Sequence, residues 1–327
     1  MWMPGPDILR LLTAIVACID LSVVDSSAQS YPVRPIRMVV GFSAGGISDV
    51  LARMVAQKLS EILGQPVVVE NRPGASTAIA NERVAASPPD GHTLLMIGTT
   101  ATVLPSLHAK LPYDLERDLA PVSLLAIAPF VLLVHPSVPA HNVKQLIALA
   151  RSQPGKLSYG SVGTGSPPNL MAELFNMMAE VRTVHVPYKG GADAAVALAS
   201  GQIDIYFSSA VSLLPLLETG KLRSLGVTSV TRLPVLPSVP TLDESGLPGY
   251  DSTNWNGLCA PAAVPKAIIA RLNAAISTVV DAPDMKQSLN KQGMIPQALT
   301  PEQFGAFIHT EIEKNAKLIK LIKAKNE

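Results

Sequence analysis

Cysteine is almost missing from this 327-residue chain, which has only Cys18 and Cys259. Cys18 lies in a segment that reads as a removable leader, so the mature chain keeps one thiol. That excludes an intrachain disulfide and a metal site built from cysteines. Cys259 sits in an apolar run and is expected as a small buried residue. Aromatic residues make up only 4% of the chain. Stacking platforms for single-stranded nucleic acid would be hard to build from so few, and no Lys/Arg run forms a phosphate-binding stripe. Nucleic acid is not an expected partner. No G-x-x-x-x-G-K-[ST] sequence occurs, which removes a P-loop. The 6 histidines, at positions 92, 108, 135, 141, 185 and 309, never take the i, i+4 spacing of a zinc helix and read as surface or strand-end residues. No metal or other cofactor is expected.

The first apolar run, residues 11–19, is too short to span a bilayer and resembles the core of an export signal. Ser26 and Ala28 then form a small-residue cleavage site, so residues 1–28 are expected as a signal peptide and the periplasm as the destination. Arg10 is the only cation in the leader. Cys18, after Ile15, Val16 and Ala17, offers lipid attachment as a second route. Removal of residues 1–28 leaves 25 basic against 22 acidic side chains, a net charge of +3. A mild positive excess suits an anionic ligand without demonstrating one.

What is present is an ordinary globular composition, 48% hydrophobic and 16% charged, in a chain long enough for two α/β lobes. Residues 36–40 form a compact apolar run. Gly41 to Gly46 follow as a glycine loop, and Val50, Leu51, Met54, Val55, Leu59 and Ile62 then recur with helical period, Ser48 standing as the expected cap. Gly64 closes that helix, and residues 66–69 read as the next strand of a βαβ unit with a parallel sheet. Residues 93–97, 122–125 and 130–134 are further apolar runs. A second unit carries a helix at 143–150, a short strand at 157–159, a Gly/Ser loop at 160–166 and a helix at 170–178. The segments 130–139 and 257–265 echo one another, each a strand followed by Pro and then Val-Pro before a helix. As two crossings between lobes they give residues 31–128 plus 254–327 to one lobe and 129–253 to the other. Thr300, Pro301 and Gln303 announce the last helix with a capping box. Phe304, Phe307, Ile308 and Ile312 give it an apolar face.

One glycine loop therefore opens a helix in each half of the chain. Unpaired N–H groups and partial positive charge at a helix start are suited to an anion. Gly45-Gly46 with Ser48, and Gly163 and Gly165 with Ser166, place small donor-bearing residues there, and neither loop contains Arg or Lys. The plainer reading is that these glycines only permit tight strand-to-helix turns. A sharper competitor is a hydrolase, because Gly41-Phe42-Ser43-Ala44-Gly45 satisfies G-x-S-x-G with Ser43 as nucleophile. That elbow would follow the first mature strand, with no oxyanion loop before it. Glu70 stands where a dinucleotide fold keeps a ribose-binding acid, but the G-x-x-x-G-G spacing differs from that fingerprint.

Several motifs occur in a fixed order: Tyr31-Pro32-Val33-Arg34-Pro35-Ile36, the loop 41–49, Asn71-Arg72-Pro73-Gly74-Ala75 and Leu111-Pro112-Tyr113-Asp114, then Gly163-Thr164-Gly165-Ser166, Val186-Pro187-Tyr188-Lys189-Gly190 and Gly201-Gln202-Ile203-Asp204. This series resembles the Bug family, the substrate-binding proteins of tripartite tricarboxylate transporters, over nearly all of the chain after the leader. The resemblance implies a non-enzymatic type II periplasmic binding fold, α/β, with two lobes joined by two crossing strands. It also implies a monomeric receptor that closes over a small organic acid and serves membrane transporter subunits or sensing. Carried over by position, Phe42, Gly45, Gly46, Ser48 and Asp49 belong to the first ligand loop, Gly165, Ser166 and Asn169 to the second. Thr99, Thr100, Tyr188 and Ser208 are further cleft residues. Asp49 also has a plain role as an acid in a first helical turn, and Tyr188 as a packed strand-end aromatic. Ser48 replaces the commoner Thr, Asn169 stands where His is frequent, Ser76-Thr77 replace glycines and Ser208 replaces a frequent Asp. These departures favour a plain carboxylate over an amino acid.

Overall fold

A computed structural model describes residues 31–326; the expected leader 1–28, with Cys18, lies outside them. Strand β1 (Ile36–Val40) buries Ile36, Met38, Val39 and Val40, as a parallel strand covered on both faces must. Helix α1 (Ile47–Leu63) turns Leu51, Val55 and Leu59 inward at i, i+4 spacing and stops at Gly64, which takes φ 69° and donates to the Ser60 carbonyl. Next come β2 (Val67–Asn71), α2 (Ala78–Ala85), β3 (Thr93–Gly98) and α3 (Thr99–Leu107). β1 pairs in parallel with both β2 and β3.

The runs 122–125 and 130–134, read separately from the sequence, are one 16-residue strand, β4 (Leu119–Val134). Its register slips at Pro121/Ser123 and again at Leu124/Ala126. A bulge lets a proline sit in a strand without breaking it. Beyond β4 lie α4 (Val143–Ser152), β5 (Ser158–Ser161), α5 (Pro167–Ala179), β6 (Val184–Pro187), α6 (Gly191–Ala199), β7 (Ile205–Ser209), α7 (Ala210–Glu218) and β8 (Arg223–Val227). The chain closes with β9 (Thr253–Pro261), α8 (Lys266–Asp281), α9 (Pro283–Lys291), β10 (Ile295–Pro296) and α10 (Pro301–Asn326).

The strands run β2-β1-β3-β9-β4-β7-β5-β6. β4 is shared by the two lobes: positions 119–129 pair with β9, and 130–134 pair with β7. One lobe's core joins Ile36, Leu51 and Leu94 to Leu258, Leu272 and Ile276. Its other face joins Val39 and Leu95 to Trp255 and Phe304. The second lobe packs Leu132, Leu146, Phe175 and Phe207 on one face and Val131, Leu198, Tyr206 and Val227 on the other. A smaller cluster ties α3 (Val103) to α5 (Leu170) through Leu318 and Ile319 of α10. The expected capping box of α10 is formed, since Gln303 N–H donates to Thr300 Oγ1 at 3.2 Å and Thr300 N–H to Gln303 Oε1 at 3.1 Å. Cys259 is buried in β9.

Candidate functional site

The two glycine loops are built alike. Gly45 takes φ 86° and Gly165 φ 77°, a left-handed turn that glycine adopts at least cost. In each loop that glycine's N–H donates to the side chain four residues on, Gly45 to Asp49 Oδ2 and Gly165 to Asn169 Oδ1, both at 2.9 Å. Asp49 and Asn169 therefore brace their own loops from the first turn of the helix that follows.

Asp49 is fully engaged. Arg53 Nε donates to its Oδ2 at 3.0 Å, and Asn71 Nδ2 donates to its Oδ1 at 2.8 Å. Burial works to raise this carboxyl, but the hydrogen bonds from Arg53, Gly45 and Asn71 outweigh it and hold the pKa below the ordinary value. Asn71 also donates to the Phe42 carbonyl, so one asparagine fixes both ends of the loop. Beside it, Ala75, Ser76 and Thr77 run through φ 44°, 50° and 78°. A Cβ on Gly41 would lie 2.7 Å from Thr77 Cβ, so this turn presses on the glycine where the loop leaves β1.

The second loop is braced further back. Asn169 Nδ2 donates to Tyr159 Oη at 2.8 Å, and that hydroxyl donates to Glu173 Oε1 at 2.6 Å. Gly163 N–H donates to Ser161 Oγ, which lies 2.6 Å from His185 Nε2. The His185 ring stacks on Tyr159, and burial pulls its pKa down against the pull of Glu173. None of Asn71, Tyr159, Glu173 and His185 was given a role in the site from the sequence, because each acts through a residue that is distant from it along the chain.

The two helix starts differ in what they offer an anion. Ser48 is not the cap of α1: Gly46 holds that position in an extended conformation, φ −77°, and Ser48 is the second helical residue. Ile47, Ser48 and Asp49 are first-turn residues, whose N–H groups have no partner inside the helix. At α5, Ser166 is the cap, but Pro167 and Pro168 occupy the first two helical positions and carry no N–H. The Ser166 N–H and hydroxyl both donate to the Gly163 carbonyl, at 3.2 and 2.6 Å. Backbone donors are thus concentrated at α1, while the second loop contributes a hydroxyl that can rotate.

Thr99 and Thr100 are buried in the first turn of α3, and Thr99 Oγ1 accepts from the Trp255 N–H. Ser48 Oγ donates to Asn256 Oδ1 at 2.6 Å, and Asn256 pairs with Gly98 across β3 and β9. Ser48, Asn256 and Thr99 therefore meet, although the sequence reading began its second crossing at Gly257 and passed Asn256 by. The second loop reaches the same helix from the other lobe. A Cβ on Gly165 would lie 2.5 Å from Leu107 Cδ1 and 3.4 Å from Val103 Cγ1 of α3. Tyr188 is half-buried, with its N–H on the Ser161 carbonyl, and Ser208 hydrogen-bonds the buried Tyr206.

Ser43 is exposed. The histidine contacts of the described residues go elsewhere, His92 to Asp90, His135 to Ser137, His185 to Ser161 and His309 to Glu116. The nucleophile reading of Ser43 thus finds no base. Among the described residues no His, Cys, Asp and Glu grouping could hold a metal ion, and no helix is long and apolar enough to cross a membrane.

Comparison with known proteins gives one answer. The profile described as "Tripartite tricarboxylate transporter family receptor" matches residues 51–324. Protein BugT of Bordetella pertussis (strain Tohama I) is 35% identical over 301 residues, covering 91% of this chain and 92% of that protein. The structure of R. palustris Rpa4515 with adipate superposes with a TM-score of 0.81 at 35% identity, over 89% of this chain and 98% of that one. MatC from Rhodopseudomonas palustris with bound malate gives 0.78 at 33%, over 88% and 100%.

Proposed function

This chain belongs to the tripartite tricarboxylate transporter receptor family, and from that premise we propose that it captures a small organic carboxylate between its lobes. It is a binding protein and not an enzyme. The observation that carries the carboxylate reading is the preorganised first loop: Asp49 and Asn71 fix its backbone, so the donors of the α1 first turn are held without needing a ligand to shape them. The adipate and malate seen in the two structural relatives set the class of acid to test. Residues 31–128 with 254–327 form the lobe carrying the first loop, and 129–253 the lobe carrying the second. Phe42, Gly45, Gly46 and Ser48 are the first-loop contacts and Gly165 and Ser166 the second-loop contacts, with Asp49 and Asn169 positioning them and Thr99, Thr100, Tyr188 and Ser208 lining the cleft. The receptor acts as a monomer in the periplasm, reached through the leader 1–28, and delivers to membrane transporter subunits.

Calorimetry and thermal shift against mono-, di- and tricarboxylates test this. A ligand at 100 times its Kd stabilises the protein by about 2.7 kcal/mol. Gly46→Val is the informative variant, because Gly46 has ordinary φ and a Cβ there meets only the Ser43 carbonyl at 3.7 Å. It should fold normally yet block the helix start and abolish binding. Ser166→Ala should weaken binding by about 0.5–3 kcal/mol. Affinity should depend only moderately on salt, as fixed dipoles in a closed cleft are little screened. A folded Gly46→Val with undiminished carboxylate affinity would place the site elsewhere.

A further inference from the structure

Asn256 is 2% exposed, and its side-chain nitrogen has no hydrogen-bond partner among the described residues. Buried polar groups in folded proteins are nearly always paired, and an orphan persists where something outside the chain satisfies it. The other end of the amide is occupied, because Ser48 Oγ donates to Oδ1 at 2.6 Å. That bond ties the carboxamide to the first turn of α1. Its β-sheet partner Gly98 is the cap of α3, and a Cβ on Gly98 would lie 3.4 Å from Asn256 Oδ1. Two helix starts, each with partial positive charge, therefore flank the carboxamide. A buried N–H donor on a carboxamide beside two helix starts, with no acceptor among the described residues, has an anion as its chemical complement.

We propose that Asn256 is a carboxylate-reading residue of this receptor, donating from Nδ2 to a ligand oxygen held at the α1 start, while its Oδ1 accepts from Ser48. The assignment rests on the carboxylate reading given above. It also gives that ligand a hold on a strand that joins the lobes. Asn256 lies four residues after Ser252, whose N–H still donates to Thr228 in the other lobe, so a ligand bound here pulls on β9 where it enters the first lobe.

The test uses the full mature protein with malate and adipate as probes. Asn256→Leu keeps the size of the side chain and removes both its donor and its acceptor. Its melting temperature should change little, because a buried unpaired donor is gone while the Ser48 hydroxyl loses its acceptor. Affinity should nevertheless fall at least tenfold. Asn256→Asp, of the same shape but with an acceptor in place of the donor, should lose more, and its loss should shrink as pH is lowered and the carboxyl takes up a proton. A large loss of affinity at nearly unchanged stability is the signature that a purely structural asparagine would not give. Affinity within twofold of wild type in Asn256→Leu overturns the assignment, leaving an amide that only an ordered water satisfies. If Asn256→Leu does not fold, unchanged affinity in Asn256→Asp overturns it equally. Wild-type protein that binds neither these acids nor any other carboxylate defeats the underlying functional reading instead, and the assignment with it.

Discussion

At the level of single residues, the two loops perform a comparison on themselves. Asp49 and Asn169 accept the same bond from the same kind of glycine, so the charge of Asp49 is not needed for the brace. Asp49→Asn should keep the Gly45 brace while losing the ion pair with the half-exposed Arg53 and setting an amide NH2 against Asn71 Nδ2, which must turn away from it. Asp49→Ala leaves the Gly45 N–H without its acceptor and should cost about 1–3 kcal/mol by urea unfolding. The carboxyl's pKa is depressed in the folded state. Its contribution is therefore complete above the unfolded value of about 4 and is lost as pH falls through the lower folded value. Wild type should lose stability in that acid window, and Asp49→Asn should lose less. Ser76 makes a separate prediction. It is exposed at φ 50°, which a side chain resists and glycine does not, so Ser76→Gly should raise stability by about 0.5–1 kcal/mol.

At the level of elements, legibility followed whether a signal was local. The capping box of α10 could be read because Thr300, Pro301 and Gln303 lie within four positions, and Thr300→Ala should cost about 1 kcal/mol in a thermal melt. The parallel strand β1 was equally plain, because a sheet strand covered on both faces is a continuous apolar run. The N-terminus of α1 was misplaced, since Gly45-Gly46 hid the cap and Ser48 looked like one; its hydroxyl is spent on Asn256, 208 positions away, a contact no window of sequence contains. β4 was split for a similar reason. Pro121 and Pro129 look like ends, but one sits beside a bulge and the other where the partner strand changes from β9 to β7. Pro167 and Pro168, visible in the sequence but informative only once they are known to be the first two residues of a helix, leave the start of α5 without two of the N–H groups that α1 offers.

At the level of the whole molecule, α10 is more than a lid on its own lobe. Leu318 and Ile319 pack with Val103 on one side and Leu170 on the other, and Asn315 Nδ2 donates to Thr102 Oγ1 at 2.9 Å. The helix therefore grips α3 and α5 together beside the place where Gly165 meets Leu107. Paired Leu318→Ala and Ile319→Ala should loosen that grip, enlarging the radius of gyration of the unliganded protein in small-angle scattering and weakening ligand binding. An unchanged scattering profile would show that the cluster does not restrain the lobes.

The core that joins Ile36 and Leu94 to Leu258 and Leu272 also fixes a timetable. The residues between β4 and β9 form a contiguous stretch whose buried partners lie largely within it, so the middle lobe can fold as soon as it has been made. The first lobe has to wait. Its opening strands β1 to β3 are synthesised early, but β9, which covers the edge of β3, begins only at Thr253, well after β3 ends at Gly98, a delay of roughly 8–31 s at ribosomal speed. For that interval the nascent chain carries an uncovered hydrophobic sheet edge, which is the surface a chaperone would hold.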